Sequence, residues 1–207
     1  MIIAVLASGE GTTLQAVLDA CAAGRVPARV GVVISNNRTA GALRRARAAA
    51  VPARHLSALT AGGEAAVDQL LRDTLLEFDA QWVLLAGYMK RLGPLTLAAF
   101  AGRIMNTHPA LLPEFGGRGM YGMNVHRAVL AAGRSESGAT VHWVDATYDT
   151  GAMIRQVRVP VETGDSAESL AARVQAAERE LVVEVLAAAA SGRLKPPLER
   201  DARSAIS

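Results

Sequence analysis

Short β-rich apolar runs alternate with helix-length segments through the first half of the chain, and that alternation restricts the fold more than any other feature. Residues 2–7, the Val-Gly-Val-Val-Ile core of Arg29–Ser35, and residues 81–86 are apolar almost without interruption. A strand covered on both faces needs that pattern. Between them, residues 12–23 carry Leu14, Val17, Leu18 and Cys21 at helical spacing. Residues 39–50 read as a second helix. Residues 64–78 read as a third, with Val67, Leu70, Leu71, Leu75 and Phe78 on one stripe. A short helix at 95–100 leads into a strand at 103–105. Strands separated by helices imply an α/β fold: a mostly parallel, twisted sheet with helices on both faces, Rossmann-like in plan.

The pattern changes after residue 105. Residues 115–122 are glycine-rich with no periodic run and read as a loop, followed by a short helix at 125–132. Residues 139–144 and 153–161 are β-rich and read as an antiparallel pair with a long connection. Asp165 and Glu168 resemble a capping box opening a long helix that runs to about Ala190 and stops at Gly192. No linker or repeat divides the chain. The expectation is one domain over 1–194, with a phosphate-binding half at 1–105, a catalytic half at 106–194 and a loose tail at 195–207.

Composition removes several function classes. Hydrophobic residues make up 51% of 207, which excludes a disordered chain. No apolar run approaches the roughly 18 residues needed to span a bilayer, and no basic leader precedes residue 2. The expectation is a cytoplasmic protein with no membrane partner. Cys21 is the only cysteine, so an internal disulfide is impossible. Four scattered histidines without ligand spacing predict no metal site. Net charge is +3, but the arginines are scattered and aromatics are 4%. Nucleic-acid binding is therefore not expected; a small anionic substrate suits the mild positive charge.

Two segments carry chemistry. Ser8-Gly9-Glu10-Gly11-Thr12-Thr13 joins the first strand to the first helix. A helix N-terminus there presents unpaired N–H groups to an anion. The segment is either a monophosphate site or a plain tight turn. Leu14 occupies the third glycine of a dinucleotide fingerprint, and Ser35-Asn36-Asn37 supplies no acidic residue after the second strand. A dinucleotide cofactor is thus disfavoured. The second segment, Asn106-Thr107-His108-Pro109-Ala110-Leu111-Leu112-Pro113, follows the strand at 103–105. Asn106 and His108 share one side of an extended stretch, and Pro109 keeps His108 out of the helical region. An amide and an imidazole suit attack of an amine on a carbonyl: one donor for the oxygen that gains charge, one group to move the proton. Asp149 is the candidate carboxylate that raises the His108 pKa. A histidine at a strand end is equally often a structural hydrogen-bonder. His55 reads as surface, His126 as capping or packing, and His142 as a strand residue able to face the pocket.

On these segments the chain resembles the folate-dependent formyltransferases, and within them the glycinamide ribonucleotide formyltransferases of purine biosynthesis. The matching pieces are Ser8-Gly9-x-Gly11, Ser35-Asn36, Leu85-Ala86-Gly87-Tyr88-Met89, Asn106-x-His108-Pro109-x-Leu111-Leu112-Pro113, Gly138-x-Thr140-Val141-His142, Asp149-x-Gly151, Gly164-Asp165-Ser166 and Val174-Gln175-x-x-Glu178. The resemblance implies a catalytic set of Asn106, His108 and Asp149, with His108 as general acid. It implies that Gly11, Thr12 and Thr13 hold a ribonucleotide phosphate and that Gln175 and Glu178 contact the glycinamide part. Met89, Lys90, Arg91, Leu92, Asn106, Val144, Asp145, Ala146, Thr147 and Tyr148 would line a folate pocket. The implied cosubstrate is 10-formyltetrahydrofolate, no metal is expected, and the chain is expected to work as a monomer or homodimer. Thr13, Lys90 and Glu64 depart from the residues common in the family, and 116–123 is longer than its counterpart in some relatives. Relatives acting on initiator methionyl-tRNA or hydrolysing the folate carry further domains, and neither activity is expected of this chain. A sugar-nucleotide formyltransferase and a non-catalytic nucleotide-binding protein are the remaining alternatives.

Overall fold

A computed structural model describes residues 1–147 and 149–197. Its seven strands are β1 (Ile2–Leu6), β2 (Arg29–Ser35), β3 (Ala53–His55), β4 (Trp82–Leu85), β5 (Ile104–His108), β6 (Glu136–Trp143) and β7 (Met153–Pro160), in the spatial order β3-β2-β1-β4-β5-β6-β7. The first five are parallel, and β6 runs antiparallel to both β5 and β7. The helices are α1 (Thr12–Ala22), α2 (Gly41–Ala48), α3 (Ala58–Ala61), α4 (Glu64–Glu77), α5 (Pro94–Ala99), α6 (Met123–Ala131) and α7 (Ala167–Ala190).

The apolar runs are continuous because the sheet has two buried faces. In β1, Ile3 and Val5 join the core beneath α1 and α7, while Ala4 and Leu6 join the core beneath α4 and α5. Leu14, Val17 and Leu186 fill the first layer; Leu71, Leu75 and Phe100 fill the second. Each such large side chain contributes about 1.5–3 kcal/mol when fully buried. The strand order reverses at β1, whose neighbours are β2 and β4. The chain leaving the carboxyl end of β1 therefore leads to a helix on one face of the sheet, and the chain leaving β4 to a helix on the other.

Several expectations need correction. The strand predicted at 103–105 runs on to His108, so Asn106 and His108 lie within β5 rather than after it. The antiparallel part comprises three strands, since β6 pairs with β5 as well as β7. β3 and α3 were not expected; at three and four residues they are too short to show a period. Leu70 does not join the α4 stripe: it is 44% exposed while Leu71 is 2%. Consecutive helical residues point about 100° apart, so one of the two must leave the buried face. The long helix is capped by Ser166 and Ser169, each accepting from the other's backbone N–H. Asp165 instead accepts from Ser169 Oγ and Arg173 at 2.7 Å each. Residues 198–207 of the expected tail lie outside the described residues.

Two local devices hold the site's frame. The Asp68 carboxylate of α4 accepts from the Leu95 and Thr96 amides at 2.8 and 2.9 Å and from Thr96 Oγ1 at 2.7 Å, which caps α5 where Gly93 supplies no side chain. Gly11 adopts φ 73°, and a Cβ there would stand 2.7 Å from Ala42 Cα. That position requires glycine for both its left-handed backbone and its close approach to α2. Among the described residues, no helix is long and apolar enough to cross a membrane.

Candidate active site

The loops after β1, β2 and β4 are stitched together by one hydroxyl. Ser8 Oγ donates to Asn36 Oδ1 at 2.5 Å and accepts from the Met89 amide at 2.8 Å, and Ser8 N–H donates to the Gly87 carbonyl at 3.0 Å. This gathers the glycine loop, Asn36 and the 87–89 turn at one rim of the sheet. Gly11 is the N-cap of α1 and places no side chain on the first-turn amides. Those N–H groups remain available to an anion.

β5 carries Asn106 and His108 to this rim, two residues apart on one face. β6 lies antiparallel beside it, with His142 opposite Asn106. The 143–153 connection folds back and delivers Asp149, in left-handed backbone at φ 54°. Four side chains then meet. Asp149 Oδ2 lies 3.7 Å from His108 Nδ1, and Asp149 Oδ1 lies 3.5 Å from His142 Nε2 and 3.5 Å from Asn106 Nδ2. His142 Nδ1 faces the Trp143 carbonyl at 2.8 Å, which can only accept, so Nδ1 carries the hydrogen. Its Nε2 is then free to accept from Asn106 Nδ2 at 3.1 Å. Likewise His108 Nε2 donates to the Phe115 carbonyl at 2.7 Å.

Burial dominates the electrostatics here. It pushes the His108 pKa down; Asp149 and the Phe115 carbonyl push it back up, but the balance stays below the ordinary histidine value. Asp149 acts upward on this pKa, but His108 is only 4% exposed and burial outweighs the carboxylate. Burial also pushes Asp149 up, yet the adjacent His142 ring, the hydrogen bond from the Gly117 amide and the charge of His108 leave it below the usual carboxylate range.

Two cavities share this cluster. One, of about 430 Å³, is lined by Met89, Asn106, Thr107, His108, Asp149 and the 117–122 loop. A second, of about 70 Å³, is lined by Lys90, Arg91, Leu92, Asn106, His142, Val144, Asp145, Ala146, Thr147 and Asp149. Asn106 and Asp149 therefore stand in the wall between them. The structure brings the residues expected around the folate together, except that Met89 lines the first cavity and Tyr148 lies outside the described residues. A larger groove of about 950 Å³ adjoins the second cavity through Tyr88, Lys90, Arg91 and Leu92. In it, Glu64 Oε1 is 4.0 Å from Lys90 Nζ.

Glu178 of α7 is buried, and Thr13 Oγ1 reaches its carboxylate at 3.5 Å, which ties the glycine loop to α7. Burial pushes the Glu178 carboxyl up, while the Thr107 and Thr13 hydroxyls hold it down in part. The Thr107 hydroxyl acts from outside hydrogen-bond geometry. Gln175, one turn earlier, is exposed and lines neither of the two shared cavities. His142 and the 117–122 loop were not among the expected site residues. His142 was signalled by its place in an apolar strand; the loop gave no periodic signal. Among the described residues, no group of three or more His, Cys, Asp or Glu side chains is arranged to hold a metal ion.

Comparison with known proteins places this geometry. The formyl transferase family model matches residues 1–186. The chain is 38% identical over 193 residues to a phosphoribosylglycinamide formyltransferase of Haemophilus influenzae, covering 93% of this chain and 89% of that one. It is 40% identical over 192 residues to a chloroplastic phosphoribosylglycinamide formyltransferase of Vigna unguiculata, of which it spans 62%. The crystal structure of glycinamide ribonucleotide transformylase 1 from Symbiobacterium toebii superposes with a TM-score of 0.88 at 42% identity, over 94% of this chain and 90% of that one. The chain belongs to the formyl transferase family, on its phosphoribosylglycinamide formyltransferase branch.

Proposed function

We propose that the chain transfers the formyl group of 10-formyltetrahydrofolate to the amine of glycinamide ribonucleotide, giving formylglycinamide ribonucleotide and tetrahydrofolate in de novo purine biosynthesis. One observation carries the reading: Asn106 and Asp149 line two cavities at once, and His108 lies beside them. A group bound in one cavity can pass to a group bound in the other without entering water.

The ribonucleotide occupies the 430 Å³ cavity. Its phosphate lies on the open amides of Gly11, Thr12 and Thr13, and its glycinamide end runs past Glu178 and Gln175 toward His108. The donor's ring system enters the cavity lined by Lys90, Arg91, Leu92 and 144–147, and the remainder of the donor extends into the adjoining groove. The amine lone pair attacks the formyl carbon, and the bond from that carbon to N10 of the folate breaks. The proton released by the amine passes through His108 to N10 of the departing tetrahydrofolate. Negative charge builds on the formyl oxygen. Asn106 meets it with the amide hydrogen that otherwise reaches Asp149 over 3.5 Å, a contact long enough to yield. Such a donor is worth roughly 3–4 kcal/mol in the transition state. Asp149 raises the proton affinity of His108 against the pull of burial.

The test is turnover by purified protein with both substrates. Formylglycinamide ribonucleotide should accumulate in step with tetrahydrofolate. Absence of that product, with formylation of sugar-nucleotide amines instead, would move the chain to a different branch of the family.

A further inference from the structure

The loop between β5 and α6 supplies pocket wall with residues 117–122. Its first turn, 115–117, does something else. The Phe115 carbonyl accepts from His108 Nε2 at 2.7 Å, and two residues later the Gly117 amide donates to Asp149 Oδ2 at 2.9 Å. One short stretch of backbone thus holds both members of the His108–Asp149 pair. The turn is built for close approach: a Cβ on Gly116 would lie 2.5 Å from Leu112 Cδ2 and 3.4 Å from Asp149 Cβ. Phe115 and Gly117 both take left-handed backbone, at φ 55° and 91°. Phe115 does so although it carries a side chain, which packs against the sheet core and fixes where its carbonyl points.

We propose that Phe115 and Gly117 are positioning residues that lock His108 in the Nε2–H tautomer, with Nδ1 as the atom that exchanges protons with the reacting groups, and hold Asp149 against that same nitrogen. A carbonyl oxygen offers lone pairs only, so a hydrogen must sit on His108 Nε2 whenever the contact is made. In neutral His108 this leaves the lone pair on Nδ1, 3.7 Å from Asp149 Oδ2, which like His108 lines the substrate cavity. A proton taken up there gains the carboxylate; a proton on Nε2 cannot reach substrate because the Phe115 carbonyl occupies its path. The Gly117 amide occupies Asp149 Oδ2 from the other side, so the carboxylate cannot rotate away from the imidazole. The turn therefore selects the tautomer, and not only the place, of the acting histidine. This inference rests on His108 moving the proton in the proposed reaction.

The experiment is nitrogen-15 NMR of the histidine rings in the full chain, with His108 assigned by comparison with His108→Ala. Neutral His108 should show a protonated-type Nε2 and an unprotonated-type Nδ1. The reverse pattern, or a rapidly averaged pair, overturns the proposal. The variant Gly117→Val tests the clamp itself. A Cβ at this position meets nothing within 4 Å, so the substitution strains φ 91° without a clash in the core. Its expected signature is an averaged His108 ring pattern and kcat lowered at least tenfold, with KM for the ribonucleotide within threefold and a melting temperature lowered by only several degrees, the cost of the strained backbone. Gly117→Ala should do the same to a smaller extent. A single Nε2–H tautomer with wild-type kcat in Gly117→Val would show that the turn positions nothing. If the tautomer is as stated but wild-type protein transfers no formyl group, the clamp stands and the proposed function fails.

Discussion

Asp149→Asn isolates the charge of the carboxylate from its shape. Asn keeps an oxygen to accept from Gly117, and it is among the residues that tolerate the left-handed backbone found at φ 54°. What is lost is the charge, together with the weak 3.5 Å acceptor contact to Asn106 Nδ2. At the 3.7 Å that separates Asp149 Oδ2 from His108 Nδ1, a unit pair interacts by about 4 kcal/mol at an effective dielectric of ~20. Asp149 also serves His142 at 3.5 Å and keeps some contact with water, so roughly half of this, about 2 kcal/mol, is a fair share for His108. Burial already holds His108 below its ordinary value, and loss of Asp149 acts in the same direction. The protonated fraction at neutral pH should fall about 30-fold, and kcat with it by roughly 10- to 100-fold, while KM for the ribonucleotide moves by no more than a few-fold. The assay is kcat and KM across pH 5–9 together with an NMR titration of His108. A His108 pKa that stays put or rises, or a kcat within twofold of wild type, would refute the electrostatic role.

Other outcomes follow from the same geometry. Asn106→Ala removes the donor proposed for the formyl oxygen and should lower kcat by about 10²–10³, against a smaller change in KM, in steady-state assays. Gly11→Ala forces a Cβ to 2.7 Å from Ala42 Cα at φ 73°; denaturant unfolding should show a loss of about 1–3 kcal/mol, and calorimetry should show weaker ribonucleotide binding. Asp68→Ala strips the cap from α5 and should cost about 2 kcal/mol by the same unfolding assay, with kcat little changed. His126 is buried, its pKa is lowered by burial and by His108, and Nδ1 has no hydrogen-bond partner in the structure. The unfolded chain takes up a proton there below about 6.5 and the folded chain only at lower pH, so this site's contribution is full above about 6.5 and drains away as pH falls. Glu178, whose raised pKa acts with the opposite sign, is present in both proteins and cancels from the comparison. His126→Leu should therefore gain in melting temperature relative to wild type as pH drops from 7 to 5.

Much of this was legible before any coordinates. Uninterrupted apolar runs announced strands buried on two faces, and β2 at Arg29–Ser35 appears with the bounds read from the chain. The spacing of Asn106 and His108 put them on one face, which the strand confirms. The misses share physical causes. β5 was cut short because Asn106, Thr107 and His108 are polar, and a polar strand end at a site looks like a loop to any hydropathy rule. β3 and α3 are too short to carry a period. The contact of β6 with β5 depends on where a long connection returns, which local sequence does not encode. The sign of the net His108 shift required knowing its burial. The role of the 115–117 backbone was invisible for a plainer reason: a carbonyl and an amide act there, and side-chain identity says little about either.

The most direct test of the account is single-turnover formyl transfer by His108→Ala set beside the equilibrium Kd of the same variant for the ribonucleotide. The expected result is a transfer rate lowered by at least 10² with Kd within threefold of wild type, because His108 acts on charge that forms only as the new bond is made. Equal losses in rate and affinity, or an unchanged rate, would contradict it.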